Sequence, residues 1–325
     1  MVYFLLTLTR GFKGEKMNRD LGINLCRVTE AAALASGKYL GKGKKNDSDN
    51  IAVDQMRAMF NYLGINGRVV IGEGEIDEAP MLYIGEEIGD MSQDDVVDIA
   101  VDPIDGTASL ANGTSNSISV IAVAPQGCLL NAPDVYMNKI ATGSKAKGVI
   151  DIKKSTKENI ENVAKALNKK VSDITVSVLH RPRHEKLVEE IREAGARISM
   201  VEDGDVLTAI ATELSDGKID LIMGIGGAPE GVIAAAALKC LGGDFQGVFA
   251  PSDSKQVKRC LKMGVDFDKV YTIDDLVKGD DVLFAATGIT DGTFLKGVSY
   301  TKNNMAKTQS LLLLSLIHIW RCRRS

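Results

Sequence analysis

With 325 residues the chain has room for about two domains and for burial of most of its apolar surface, which excludes a disulfide-stapled miniprotein. Its 45% hydrophobic and 25% charged residues, with 32 Gly against only 7 Pro, exclude intrinsic disorder and collagen-like repeats. The formal charge of -4 supplies no broad positive field for a polyanion, so nucleic acid is not an expected partner.

Residues 1–16 hold a short apolar core, YFLLTL, with no basic stretch ahead of it and no small-residue cleavage site. They read as an N-terminal extension foreign to the fold. From Met17, Leu21, Leu25, Val28, Ala32, Ala35 and Tyr39 recur at steps of three and four, which predicts an amphipathic helix over 17–41 ended by Gly41 and Gly43. KGKKNDSDN (42–50) reads as a polar loop, and Ala52, Met56, Met59, Phe60 and Leu63 mark a second helix over 50–63. Strands follow at 68–71, 96–101 and 117–124, the first two running into GEGE and DPIDGT.

Beyond residue 151 strand and helix alternate: strands at 174–179, 196–201 and 219–225, helices at 184–195, 205–214 and 230–241. That is the pattern of a parallel α/β unit, with RPRH, EDGD and GGAPEG each following a strand. Ligands of open α/β sheets bind at the carboxyl ends of strands, so three polar clusters on one edge predict one shared site. A last strand with a Gly-containing turn is expected within 282–292. LSLIHI (314–319) resembles the translation of a sequencing-library adapter, so 314–325 is expected to be an artefactual tail and the native C-terminus to be missing. A membrane role would rest on that tail alone, and no membrane partner is expected. The expected division is a metal-binding α/β domain over 17–150 and an α/β substrate domain over 151–313.

The five cysteines, at 26, 128, 240, 260 and 322, form no CxxC pair. Reduced thiols in a cytoplasmic protein are expected, without structural zinc.

The chemistry concentrates where apolar runs stop. Asp47 and Asp49 lie in the polar stretch, Glu73 and Glu75 in GEGE, Asp102 and Asp105 in DPIDGT. Acids gathered together are costly to bury unless cations compensate them, and hard divalent ions take oxygen ligands of this kind. Pro103 stiffens the turn, Gly106 admits close backbone approach, and Thr107 offers a hydroxyl. Taken singly, GEGE is an ordinary acidic turn, and Asp-Pro and Asp-Gly are common turn dipeptides. His180 and His184 have the spacing of a zinc pair, but Pro182 between them predicts an exposed turn. In GIGGAP (224–229) Pro229 takes the place of the third glycine of a dinucleotide fingerprint.

VIGEGEIDEAPMLYIGE (70–86), VDPIDGT (101–107), APDVYM (132–137), RPRHEK (181–186), DGDV (203–206) and GIGGAPEG (224–231) follow one another in an order and spacing that resembles class II fructose-1,6-bisphosphatase, the GlpX-type family, over roughly 17–310. The resemblance implies a metal-dependent, lithium-sensitive sugar phosphatase of α/β (α+β) class, its helices and sheets layered α-β-α-β-α in two sheet-containing domains. The implied reaction is hydrolysis of the 1-phosphate of fructose 1,6-bisphosphate in gluconeogenesis. Some relatives of this kind also take sedoheptulose 1,7-bisphosphate. Carried over by position, the resemblance implies ligation of Mn²⁺ or Mg²⁺ by Asp49, Glu73, Asp102, Asp105 and Glu230. It further implies substrate contacts from Asp105, Gly106 and Thr107, from Tyr136, from Arg181, Pro182 and Arg183, from Asp203, Gly204 and Asp205, and from Gly227. Glu73, Asp102 and Thr107 are the expected catalytic residues, with Thr107 orienting water or the leaving oxygen and Arg181 and Arg183 holding the distal phosphate. The first helical turn at Glu230 is expected to offer backbone N–H groups to an anion. One departure stands out: class II members carry Glu where this chain has Asp105, as in the DP-hydrophobic-DG-T signature of inositol monophosphatases. An inositol-phosphatase-like activity, or a non-catalytic sugar-phosphate sensor built on GIGGAPEG, are the competing expectations. A homo-oligomer, dimer or tetramer, is expected.

Overall fold

The computed structural model describes residues 2–8, 17, 20–74, 81–93, 96–303 and 305–316. The apolar stripe read from Met17 folds as α1 (Asp20–Ser36), with Leu21, Leu25, Val28 and Ala32 buried. The chain then leaves the helix through one 3-10 turn, Gly37–Tyr39. The next helix, α2 (Lys45–Phe60), starts earlier than its apolar positions suggest, so most of the stretch read as a loop is helical. Its first turn is exposed and has no apolar period to betray it, and Asp47 there suits the positive end of the helix dipole.

Two sheets organise the rest. The first runs in the order β1 (Val2–Leu8), β15 (Ser310–Leu316), β12 (Leu283–Gly288), β5 (Ile118–Pro125), β4 (Val96–Asp105), β2 (Asn66–Ile71) and β3 (Glu87–Gly89). The second runs β11 (Tyr271–Thr272), β10 (Asp244–Phe249), β6 (Tyr136–Thr142), β9 (Leu221–Gly227), β7 (Thr175–Leu179) and β8 (Arg197–Val201). In it β9, β7 and β8 are parallel, as the strand-helix alternation predicts, whereas β6 and β10 join antiparallel. A short ladder of β13 (Ser299–Tyr300) and β14 (Ala306–Lys307) completes the strands.

The sheets partition the chain otherwise than at residue 150. β6 already belongs to the second sheet, and β12 and β15 return to the first. β15 runs on to Leu316, past the expected limit of the fold at 313, and Val2–Leu8 pairs with it in parallel at the edge. Residues 317–325 lie outside the described residues.

The remaining helices are α3 (Thr107–Asn112), α4 (Thr156–Leu167), α5 (Glu185–Glu193), α6 (Val206–Leu214), α7 (Ala228–Leu241), α8 (Ser254–Lys262) and α9 (Ile273–Leu276). Helices α1 and α2 cover the outer face of the first sheet, α6 and α7 lie between the sheets, and α4 and α5 cover the far face of the second. This is a mixed α/β architecture layered α-β-α-β-α. Alternation along β5 shows the layering: Ile121 and Val123 join the core with α1 and α2, while Val120, Ala122 and Ala124 join the core between the sheets. α7, APEGVIAAAALKCL, is apolar on all sides and nearly every residue is buried, as befits a helix with a sheet on each flank. No helix among the described residues is long and apolar enough to cross a membrane.

Candidate active site

DPIDGT is not a turn in its first half, because β4 continues through Asp105. Residues three apart in a regular strand point to opposite faces. Opposite Asp102 stands Val120 and opposite Asp105 stands Ile118, so β4 carries one extra residue at Pro103-Ile104. This bulge, placed where proline has no N–H to give the ladder, turns both carboxylates into one cavity.

Each is then fixed differently. Asp102 Oδ1 accepts the Ile104 N–H at 3.0 Å. Asp105 is buried and accepts the Leu207 N–H at the start of α6, while its Oδ2 has no partner. Gly204 lets the neighbouring strand end press against it: a Cβ there would lie 3.1 Å from Asp105 Oδ2. Gly106, at φ +91, holds a conformation that side chains with a Cβ rarely adopt, and a Cβ there would lie tightly, 3.2 Å from Asn116 O.

Thr107 opens α3, and its Oγ1 donates to Asp49 Oδ1 or to Ile104 O, both at 3.1 Å. Asp49 therefore reaches the site from a helix. It does not line the cavity wall, although Thr107 does. Asp203 joins the two sheets: its Oδ1 accepts from Arg181 at 2.7 Å and its Oδ2 from the Ala108 N–H at 2.9 Å.

The three polar clusters read on one edge meet as expected. A cavity of about 440 Å³ is lined by Glu73, Asp102, Asp105 and Thr107 from the first sheet and by Arg181, Arg183, Asp203, Gly204, Asp205, Gly227 and Glu230 from the second sheet and its loops. Tyr136 lies at its wall with the Arg183 guanidinium 4.6 Å above its ring. Arg183 Nε and Nη2 donate to Ile225 O, leaving Nη1 for other use. Pro182 does not line the cavity; it starts the 3-10 turn that aims the two flanking arginines.

Sequence reading missed two residues. Asp134 lines the cavity. Lys139 on β6 is buried and donates from Nζ to Asp205 Oδ2 and, at 2.8 Å, to Gly227 O. Met137 and Lys139 share the buried face of β6, with Tyr136 and Asn138 exposed on the other, but the partner of Lys139 lies far along the chain. The two histidines part company: His180 is exposed beside Glu202, as expected, whereas His184 is buried. Ile225 donates to its Nε2 at 2.7 Å, so Nδ1 carries the proton and donates to Leu179 O, and burial holds its pKa below the ordinary value. A neutral, satisfied histidine of this kind is structural. The N–H groups of α7 are also spoken for, contrary to expectation. Ala228 donates to Val135 O, Pro229 has none, and the Glu230 N–H turns to its own carboxylate.

The cavity gathers seven carboxylates, Glu73, Asp102, Asp105, Asp134, Asp203, Asp205 and Glu230, against two guanidiniums. Burial first, then Asp105, Glu230 and Glu73, push Asp102 well above the usual carboxylate range. Burial, then Asp205, Glu230 and Asp203, do the same to Asp105. Glu230 and Asp49 are raised by burial as well, Lys139 opposing at the former and the Thr107 hydrogen bond at the latter. Glu73, open to solvent along the cleft yet crowded at its carboxyl, is pushed up to about 7 by desolvation and by Asp49 and Glu230.

Among the described residues no three acidic, histidine or cysteine side chains close into a finished metal cage. The donor set nevertheless fits a hard divalent cation: all donors are oxygens, they repel one another, and Asp105 Oδ2 and Glu230 Oε2 are buried without partners. A measurable consequence follows for metal-free protein. Between the ordinary Glu value of 4.5 and about 7 the folded state holds protons that the unfolded chain has released, so stability falls as pH rises through that window. Thermal midpoints in chelator are expected to drop from pH 5 to pH 7.5, and added Mn²⁺ to restore more at pH 7.5 than at pH 5. A midpoint that rises with pH in chelator would contradict the assigned crowding.

A sequence profile of the family described as bacterial fructose-1,6-bisphosphatase, glpX-encoded, matches residues 19–325. Fructose-1,6-bisphosphatase 1 class 2 of Escherichia coli K12 is 47% identical over 310 residues, covering 91% of this chain and 92% of its own length. The class 2 enzyme of Haemophilus influenzae is 46% identical over the same shares. A protein of Trichodesmium erythraeum named D-fructose 1,6-bisphosphatase class 2/sedoheptulose 1,7-bisphosphatase is 46% identical over 323 residues, 92% of this chain and 93% of its own. Among solved structures, an extragenic suppressor from Pyrococcus furiosus matches 62% of this chain and 72% of its own at 15% identity and a TM-score of 0.32. The SuhB protein of Bartonella henselae matches 62% and 75% at 13% identity and a TM-score of 0.35. The matched family and the curated relatives are sugar bisphosphatases. The chain belongs to the bacterial, glpX-encoded fructose-1,6-bisphosphatases.

Proposed function

We propose that the protein hydrolyses fructose 1,6-bisphosphate at the 1-phosphate, with Mn²⁺ or Mg²⁺ held by Asp49, Glu73, Asp102, Asp105 and Glu230. One observation carries the metal dependence: seven carboxylates face two guanidiniums in the cavity. A doubly phosphorylated sugar is repelled by such a cavity until cations reverse its charge. Bound there, a divalent ion would neutralise the phosphoryl oxygens and lower the pKa of the attacking water.

The chain's own groups divide the remaining work. Thr107 Oγ1 gives its one proton to Asp49 Oδ1 or to Ile104 O, and in either case the hydroxyl's lone pairs are left to hold the attacking water. Gly106 and Gly227 line the cavity with backbone alone, and a Cβ on Gly227 would meet the Glu230 carboxylate. Arg181 and Arg183 enter from the opposite sheet, where guanidinium forks suit the distal phosphate. Tyr136 beneath Arg183, with Asp203, Gly204 and Asp205, forms the wall for the sugar hydroxyls.

Asp105 favours a second reading, an inositol-phosphatase-like preference, because it is one methylene shorter than the Glu of class II members. The shorter acid matches the close approach of Gly204. Phosphate release from fructose 1,6-bisphosphate, sedoheptulose 1,7-bisphosphate and inositol 1-phosphate, with and without each metal and with Li⁺, decides between them. Fructose 1,6-bisphosphate is expected to be fastest, with no turnover in chelator and inhibition by Li⁺. Faster release from inositol 1-phosphate would transfer the assignment, and binding without release would leave a sensor. None of the four described cysteines is paired in a disulfide among the described residues, and burial pushes Cys26 and Cys240 up to about 12, which makes those two thiols inert. They support a cytoplasmic location, and a homo-oligomer completes the proposal.

A further inference from the structure

Glu73 and Asp49 approach the cavity from different elements, Glu73 from the segment after β2 and Asp49 from α2. A chain of contacts joins the two. Arg57 stands about two turns beyond Asp49 on α2. Its Nε donates to Glu86 Oε1 at 2.6 Å, the one ion pair among the described residues that joins α2 to the segment 81–86. The other oxygen of Glu86 accepts the Leu82 N–H at 2.5 Å.

Leu82 needs such a tether. It is fully buried at φ +54, a conformation that a branched side chain adopts only when its surroundings impose it. Its carbonyl accepts the Glu73 N–H at 3.0 Å, and Ile84 N–H is bound to Gly74 O at 2.8 Å on the other side. Gly72 completes the fit, since a Cβ there would lie 1.9 Å from Leu82 O. From Arg57 to Glu86 to Leu82 to Glu73, each link is a single hydrogen bond.

We propose that Arg57 is a positioning residue: acting through Glu86 and the strained Leu82, it fixes the Glu73 turn relative to the helix that carries Asp49. This rests on the reading of those two acids as metal ligands. Their separation is then set by a pair of residues that touch neither metal nor substrate, and metal affinity is the property most exposed to its loss.

The test compares wild type with Arg57→Met, Arg57→Lys and Glu86→Gln in the full chain. Three quantities are read: hydrogen exchange at the Glu73 amide in metal-free protein, the Mn²⁺ concentration at half-maximal thermal stabilisation without substrate, and KM at saturating Mn²⁺. Arg57→Met is expected to speed exchange and to raise the Mn²⁺ midpoint by about tenfold or more, as loss of outer partners of metal ligands commonly does. KM is expected to move by less than about threefold, since no substrate contact changes. Arg57→Lys, which keeps the charge and one donor, should recover most of the midpoint. A wild-type midpoint in Arg57→Met overturns the proposal, as does a KM that rises in step with the midpoint. Should Arg57→Met fail to unfold cooperatively, the isosteric Glu86→Gln carries the same expectation, and an unchanged midpoint there is equally fatal. Wild-type protein indifferent to Mn²⁺ would instead remove the metal reading itself, a result distinguishable from unaltered variants of a metal-responsive protein.

Discussion

Asp102→Asn is expected to lower phosphate release by about a thousandfold or more and, in the same protein, to raise the thermal midpoint measured in chelator. The two effects have one origin. Asp102 is crowded by Asp105, Glu230 and Glu73, and its charge is unfavourable in the folded metal-free chain. Asparagine keeps the shape and an oxygen for the Ile104 N–H, so the β4 bulge is preserved while the repulsion is relieved. In the proposed scheme the lost charge is one of those that hold the cation. Residues that serve function at the expense of stability behave this way. Near-native turnover in the variant would refute the metal scheme, and a lowered midpoint in chelator would show that Asp102 is instead a structural acid.

Lys139→Met should be the most destabilising single change around the cavity. Lys139 is the buried cation that offsets Asp205, itself beside Asp105 and Glu230. Removing one member of a buried ion pair strands the other, at a cost of about 3–5 kcal/mol. Urea denaturation at pH 7 measures that loss directly. Because the stranded carboxylate can take up a proton, the deficit should shrink at pH 5. Adding Asp205→Asn should recover a large part of it, since the charge that lacks a partner is then gone. A loss below about 1 kcal/mol, the size of an exposed pair, would mean that solvent already screens the lysine.

Much of the cavity is legible in the sequence because apolar runs stop at its residues. Val96–Val101 ends at Asp102, Leu221–Ile225 ends at the glycines before Glu230, and Leu179 and Val201 end at Arg181 and Asp203. A strand end is visible locally; what stands beside it is not. The pairing that inserts an extra residue between Asp102 and Asp105 depends on β5, so the common direction of the two acids had to come from the register. Lys139 is hidden for the same reason, its partners Asp205 and Gly227 being 66 and 88 residues away. Asp49 is identifiable by resemblance, yet its place on α2 is masked by a polar first turn with no period. His184 shows the opposite failure: a polar residue beside Pro182 reads as exposed, and only the packing of Gly224 against its ring reveals a core position.

The return of β12 to the first sheet, on the far side of β5 from β4, bears on how the protein is made. When a ribosome has emitted residues up to about 280, every acid of the cavity has left the exit tunnel, but β5 still presents a bare row of amides and carbonyls where β12 will pair. The acids of the cavity are thus synthesised before the strand that completes their support. A nascent chain paused at that point would display an adhesive edge, and chaperone demand should peak there rather than at the junction between the two sheets.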